Sequence, residues 1–158
     1  MQLLKVLCFD VFLKAQAQEC VLEKSLVDSR KMSINAKISA QVVEFYSLSL
    51  TNINKPEIQK DIDSKIKKDW KSYCQFKIIY YAALTSYFSA ISAAESQKYG
   101  DSVGFILHAE EKLKECSAMK NFKELQEPLK FTIECIENKY NQFWKNGLVI
   151  FVILTEIN

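Results

Sequence analysis

The chain has few of the residues that interrupt regular secondary structure. Its 158 residues include three glycines and two prolines, whereas sheets joined by tight turns need more of both. Charged residues make up 25% of the sequence and hydrophobic residues 49%, a balance typical of a globular chain. The length fits one domain. The composition therefore predicts one folded unit built mainly of helices.

The chain also lacks an excess of charge of either sign. The net charge is +2, and no RNA- or DNA-binding motif is visible, so nucleic acid is not an expected partner. The segment "DSKIKKDWK" is basic, but Asp63 and Asp69 interrupt it, which favours a solvated helix face. The apolar run "LLKVLCFDVFL" holds Lys5 and Asp10, so it is not a clean signal-peptide core. The run "GLVIFVIL" is far shorter than the roughly 20 residues of a membrane span. We expect no transmembrane segment.

Residues with catalytic or metal-binding chemistry are sparse. His108 is the single histidine, and the glutamates that follow it are too close in sequence to share its helix face, so an ordinary helix residue is favoured. The five cysteines are widely spaced and form no CxxC motif, which favours small buried thiols over disulfides or zinc ligands. The nucleophile loop of tyrosine phosphatases is absent, and "YGDSVG" lacks the Lys-Ser/Thr of a phosphate loop. We predict that this chain is not an enzyme and has no catalytic residue, metal or cofactor.

What the chain does contain is apolar residues at helical spacing. The pattern predicts helices over about 3–26, 30–50 and 57–97, a fourth that ends near 119, and a fifth that begins near 122 or after 128 and ends near 140. Asp28 or Ser29 is a candidate cap for the second helix, and Pro56 suits the first turn of the third. Gly100 is the expected stop and Asp101 the expected cap that follows it. The third pattern is long enough to be one bent helix or two.

The second and third helices carry apolar residues on two sides, as inner helices of a stack do. The second has one stripe of Ile34, Ile38, Val42 and Phe45 and another of Val43, Tyr46 and Leu50. In the last two helices, the expected buried residues are Phe105, Ile106, Ala109, Leu113, Phe131, Cys135 and Ile136. The predicted fold class is all-α, with antiparallel helical hairpins in a tetratricopeptide-like α-solenoid, although no clean 34-residue repeat is present.

The stretch "AQAQECVLEKSLVDSRKMSINAKISAQVVEFY" closely resembles the Bro-one domain, the endosomal adaptor domain of ALIX and of the His-domain protein tyrosine phosphatase, non-receptor type 23. Similar segments follow in the same order: "IQKDIDSKIKKDW", "QFKIIYYAAL", "AAESQKYGDSVGFILHAEEKLKEC" and "LKFTIECIENKYN". The segments "QAQECVLEKS" and "IQKDW" favour the phosphatase version. The resemblance implies the helical, tetratricopeptide-like core of such a domain.

The resemblance also implies a division of the chain. Residues 1–13 are an atypical helix start, 14–141 a partial Bro-one domain, and 142–158 a divergent apolar tail. A whole Bro-one domain is considerably longer, so we expect this chain to be a fragment of one.

Bro-one domains bind the C-terminal amphipathic helix of ESCRT-III subunits of the charged multivesicular body protein 4 type, in an apolar groove. The three apolar side chains at the centre of that groove correspond to Val21, Ile34 and Ile38. The resemblance therefore implies a non-catalytic adaptor that is cytoplasmic and associates with endosomal membranes through its partners. Gln16 and Gln18 would then be packing or hydrogen-bonding residues of the helix hairpin.

Two alternatives stand beside this interpretation. Ile34 and Ile38 lie on a stripe that continues to Val42 and Phe45, and such stripes are commonly core. The alternative function is a truncated structural remnant of a non-receptor tyrosine phosphatase-like protein, without binding activity.

Overall fold

A computed structural model describes residues 2–60, 62–119, 129–139 and 141–142. The helices are α1 (Gln2–Val27), α2 (Met32–Ile53), α3 (Pro56–Gln59), α4 (Ser64–Glu95) and α5 (Tyr99–Ala118), and residues 129–139 form a further helix, α6. The described residues contain no strand, which confirms the all-α prediction. The segment 120–128, where the fifth predicted helix had one of its two candidate starts, and the divergent tail from 143 lie outside the described residues.

Neighbouring helices run antiparallel. Between α1 and α2, the rings of Phe12 and Tyr46 meet near one end, while Ser25 bonds to Asn35 near the other. Helices α2 and α4 are also antiparallel. Ser39 donates to the Tyr81 carbonyl, whereas Tyr46, later in α2, meets the ring of Tyr73, earlier in α4. Helix α4 therefore runs parallel to α1 and antiparallel to α2.

Helix α4 is central because it is buried on both sides. One side contributes Cys74, Tyr81 and Phe88 to a first core cluster shared with α1 and α2. The other contributes Phe76, Ala83 and Ala90 to a second cluster shared with α5 and α6. The prediction of a two-sided inner helix is confirmed, and two alternating faces are what stacked helical hairpins require.

The third predicted helix is two helices. Pro56 begins α3, as expected for a residue without a backbone N–H to satisfy. Helix α4 starts anew at Ser64, where the Asp63 carboxylate accepts from the backbone N–H of Lys65 at 2.8 Å. The 32 residues of α4 correspond to about 48 Å of helix.

Two helix ends differ from expectation. Gly100 and Asp101 are not a stop and a cap, since both lie in the first turn of α5. Helix α4 instead ends in a Schellman motif, in which Lys98 N–H donates to the Ala93 carbonyl and Gln97 takes a φ of 61°. Helix α1 ends in the same way.

At the C-terminal end of α1, Arg30 N–H donates to the Ser25 carbonyl, and Ser29 takes a φ of 52°. Ser29 therefore terminates α1 and does not cap α2, and neither does Asp28, because the N-cap residue is Lys31. A positive φ is unfavourable for a residue other than glycine, but the hydrogen bonds at the helix end offset this cost. Because neither Ser29 nor Gln97 is a glycine, the composition did not reveal the two motifs.

The predicted inward faces of the last helices are partly wrong. Ile106, Ala109, Leu113 and Ile136 are buried, but Phe105 is 42% exposed and Phe131 69% exposed. Small hydroxyl residues take the buried positions instead: Ser102 donates to the Ala90 carbonyl at 2.8 Å, and Thr132 bonds to the Tyr80 hydroxyl at 3.0 Å. A hydroxyl that is hydrogen-bonded can be buried at little cost in free energy. The spacing of apolar residues does not predict such positions, because serine and threonine are polar.

Candidate partner-binding surface

The seam between α1 and α2 brings two of the three predicted site residues, Val21 and Ile38, to one level of the hairpin. The Gln18 side-chain amide donates to that of Gln41 across the seam at 2.9 Å. Val21 follows Gln18 by three residues and Ile38 precedes Gln41 by three, and residues at this spacing are neighbours on a helix surface. Because the helices are antiparallel, both steps lead in the same direction, and Val21 and Ile38 flank the seam together. Ile34 lies one turn further along α2.

These side chains differ in burial. Val21 is 48% exposed and Ile34 is 39% exposed, so neither belongs to the core. Ile38 is half-buried and packs against the first core cluster. Along the predicted stripe, burial increases from Ile34 through Ile38 to Val42, which is fully buried, whereas Phe45 is half-buried. The three residues form an apolar surface, which we call the seam surface, with Ile38 at its base.

Polar contacts bound the seam surface at both ends. The Gln18–Gln41 amide bond lies at one end, which confirms that Gln18 is a hydrogen-bonding residue of the hairpin. At the other end, the Ser25 hydroxyl donates to the buried Asn35 side chain at 2.5 Å. Gln16 is exposed. The apolar surface is therefore short, about two helical turns.

The margin beyond Ser25 is basic. Lys24 and Arg30 share the single carboxylate of Asp28, at 3.2 Å and 4.0 Å. Lys31 in this margin is exposed, and so is Lys37, which lies within the seam itself, one turn from both Ile34 and Gln41. An acidic segment of a partner would be attracted to this margin, mostly through faster association.

Next to Gln18, in the interior between the helices, lies a charged junction that hydrophobic periodicity missed. The Lys77 ammonium lies 3.0 Å from the Glu19 carboxylate, and both side chains are largely buried. The Tyr46 hydroxyl donates to the same carboxylate at 2.6 Å, so the junction joins α1, α2 and α4. Burial, followed by the Glu19 carboxylate, raises the pKa of Tyr46 far above its usual value. In the sequence, this junction is indicated only by Glu19, a charged residue that follows the uncharged residues of "AQAQE".

Lys77 is also held by aromatic rings. Its ammonium lies 5.4 Å and 5.5 Å from the ring centroids of Tyr73 and Tyr81, within the range of cation–π attraction. A buried cation with a carboxylate and two rings around it is a structural clamp, which fixes α1 on the other two helices.

The described residues offer little for catalysis. His108 Nδ1 lies 2.8 Å from the Ser86 hydroxyl, but within the described part of the chain no three His, Cys, Asp or Glu side chains are grouped to hold a metal. Cys74 and Cys116 are buried, as expected, but Cys135 is only half-buried and Cys20 is exposed. Cys20 points away from the face of α1 that packs on α2 and α4. Burial raises the pKa of the Cys116 thiol to about 12, which disfavours its thiolate. None of the described helices is long and apolar enough to cross a bilayer.

Comparison with known proteins identifies the class. Residues 1–152 match the BRO1-like domain family. Human tyrosine-protein phosphatase non-receptor type 23 is 38% identical over 86% of this chain, which covers 8% of the human protein. ALG-2 interacting protein X of Dictyostelium discoideum is 30% identical over 60% of the chain, which covers 12% of that protein. Vacuolar protein-sorting protein bro-1 of Neurospora crassa is 30% identical over 66% of the chain, which covers 10% of it.

The chain belongs to the BRO1-like domain family, as its "AQAQE" segment and its helices led us to expect. It spans only about a tenth of the length of these relatives.

Proposed function

We propose that this chain is a non-catalytic adaptor module of endosomal sorting, and that the seam surface binds the C-terminal amphipathic helix of an ESCRT-III subunit of the charged multivesicular body protein 4 type. The names of relatives point to this process, since one is a vacuolar protein-sorting protein. The proposed location is the cytoplasmic face of endosomes, reached through protein partners.

The observation that carries the proposal is the exposure of aliphatic side chains at the α1–α2 seam. Val21 and Ile34 remain 48% and 39% exposed beside a half-buried Ile38. A groove between two helices is a common dock for the apolar face of a third. Burying each such side chain against a partner contributes on the order of 1–3 kcal/mol.

The proposal requires no chemistry from the chain. Although one relative is named a tyrosine-protein phosphatase, the match covers a small share of that protein. We expect no release of phosphate from a phosphotyrosine peptide by the chain. Turnover that disappeared on Cys20→Ala would contradict a non-catalytic role.

The test is the affinity of the chain for a fluorescent tail-helix peptide of charged multivesicular body protein 4, with Val21→Asp and Ile34→Asp as variants. Each places a charge in a site that loses water on binding, at a cost of about 2 kcal/mol, so affinity should fall at least tenfold. Because both residues are exposed, the melting temperature should stay within a few degrees of the original.

Leu107→Asp is the matched control, since Leu107 on α5 is 48% exposed and lies away from the seam; it should leave affinity unchanged. Ile38→Asp should lower both affinity and stability, because Ile38 packs against the core. Unchanged affinity in the Val21 and Ile34 variants would reject the seam surface. An original chain that is folded but binds no peptide would instead favour the remnant without binding activity.

A further inference from the structure

The Gln18–Gln41 pair is a polar feature that the apolar groove does not explain. The two amides bond to each other at 2.9 Å, one turn from Val21 on α1 and one turn from Ile38 on α2. Gln41 is exposed and Gln18 half-buried. Any helix that covers the seam surface and extends by one turn in this direction covers the pair.

The pair retains unused hydrogen-bonding capacity. A primary amide has two N–H donors and a carbonyl with two lone pairs. The bond across the seam uses one N–H and one lone pair, so N–H donors and carbonyl lone pairs both remain. Exchanging oxygen and nitrogen in both amides gives the same result, so the conclusion is independent of their assigned orientation.

We infer that Gln18 and Gln41 are specificity-determining residues, which select a partner helix with a side-chain amide or hydroxyl one turn from its apolar anchors. This inference rests on the proposed function of the seam surface. An amide or hydroxyl of the partner can both donate to and accept from the pair. A leucine at that position would remove water from the remaining N–H and carbonyl groups of the two amides and give them no partner. Recognition sites reject ligands for that reason more strongly than for a lost apolar contact.

The charges near the pair support an uncharged partner residue. Lys14, one turn before Gln18, is already paired with Asp10 at 2.7 Å, and Lys37 and Glu44, on either side of Gln41, are opposite in sign. Neither a cation nor an anion gains a net advantage at the level of the pair. Gln18 and Gln41 therefore select a partner residue by its hydrogen-bonding groups and not by its charge.

The test is a position scan of the charged multivesicular body protein 4 tail-helix peptide, in which each residue is replaced in turn by Gln and by Leu. Against the original chain, one position spaced a turn from the anchors should favour Gln over Leu at least tenfold. Against the double variant Gln18→Met and Gln41→Met, which keeps the length of both side chains, that preference should vanish or reverse. Preferences at other positions should not change.

Gln16→Met is the matched control, because Gln16 is an exposed residue of the same helix outside the seam, and it should retain the Gln preference. Melting curves of all three proteins check that the hairpin is intact. A Gln preference that is absent from the original chain, or equally strong in the double variant, would overturn the inference. If peptides bind and Val21→Asp abolishes binding while no such preference exists, only this inference falls; if no peptide binds, the proposed function falls with it.

Discussion

The two faces of α4 differ in the polar and small side chains that they bury. Toward α1 and α2, large rings meet, with Phe12 and Tyr73 centroids 5.9 Å apart, and the Glu19–Lys77 pair lies among them. Toward α5, the buried residues include Ala83, Ala90 and Ala109, and a serine side chain spans the gap between helices. Large side chains hold helix axes apart, and those with polar atoms, such as tyrosine, need hydrogen-bond partners. Alanines let two helices approach closely and leave no room for a larger side chain. The first face should therefore be sensitive to loss of charge and the second to added volume.

The largest expected effect is on the first face. Lys77→Met leaves the largely buried Glu19 carboxylate without its cation and should lower the free energy of unfolding by about 3 kcal/mol, measured by urea denaturation. The control Lys68→Met, at an exposed position of the same helix, should change it by less than about 0.5 kcal/mol. Adding Glu19→Gln to Lys77→Met should recover much of the loss. Equal effects at Lys77 and Lys68 would show that the clamp is not a source of stability.

The second face is tested by volume. Ala109 is fully buried, so Ala109→Leu should lower the free energy of unfolding by about 2 kcal/mol through overpacking between α4 and α5. Ala17→Leu adds the same atoms at an exposed position of α1 and should be nearly neutral. A neutral Ala109→Leu would mean that this face has spare room and that the contrast between the faces is mistaken.

The smallest effects concern the helix ends that border each face. Ser29→Gly and Gln97→Gly should each raise the free energy of unfolding by about 0.5–1 kcal/mol, because φ values of 52° and 61° favour glycine. Gln75→Gly, at an exposed position within α4, should have the opposite sign, with a cost of about 1 kcal/mol. If the melting temperatures of all three variants were higher, or all lower, than that of the original chain, the result would argue against the two Schellman motifs.

Periodicity of apolar residues was sufficient for the helices themselves. It predicted α1 and α2 to within a few residues and an α4 that is buried on two sides, while the missing N–H of Pro56 predicted the helix start there. It was also sufficient for the all-α class, and the "AQAQE" segment was sufficient for the family. These properties depend on local spacing and on residues close together in the chain, which a sequence displays directly.

Tertiary structure alone decided which apolar residues are covered. Phe105 and Phe131 fit a helical stripe as well as Ile106 does, yet they are exposed, because the neighbouring helix passes over the adjacent stripe. Whether Ile34 belongs to the core or to the surface depended on where α1 crosses α2, and that crossing leaves it at the seam. The Glu19–Lys77 pair joins residues 58 positions apart, and the Gln18–Gln41 bond joins residues 23 apart. Contacts between distant residues arise only when helices pack, so no local pattern in the sequence could reveal them.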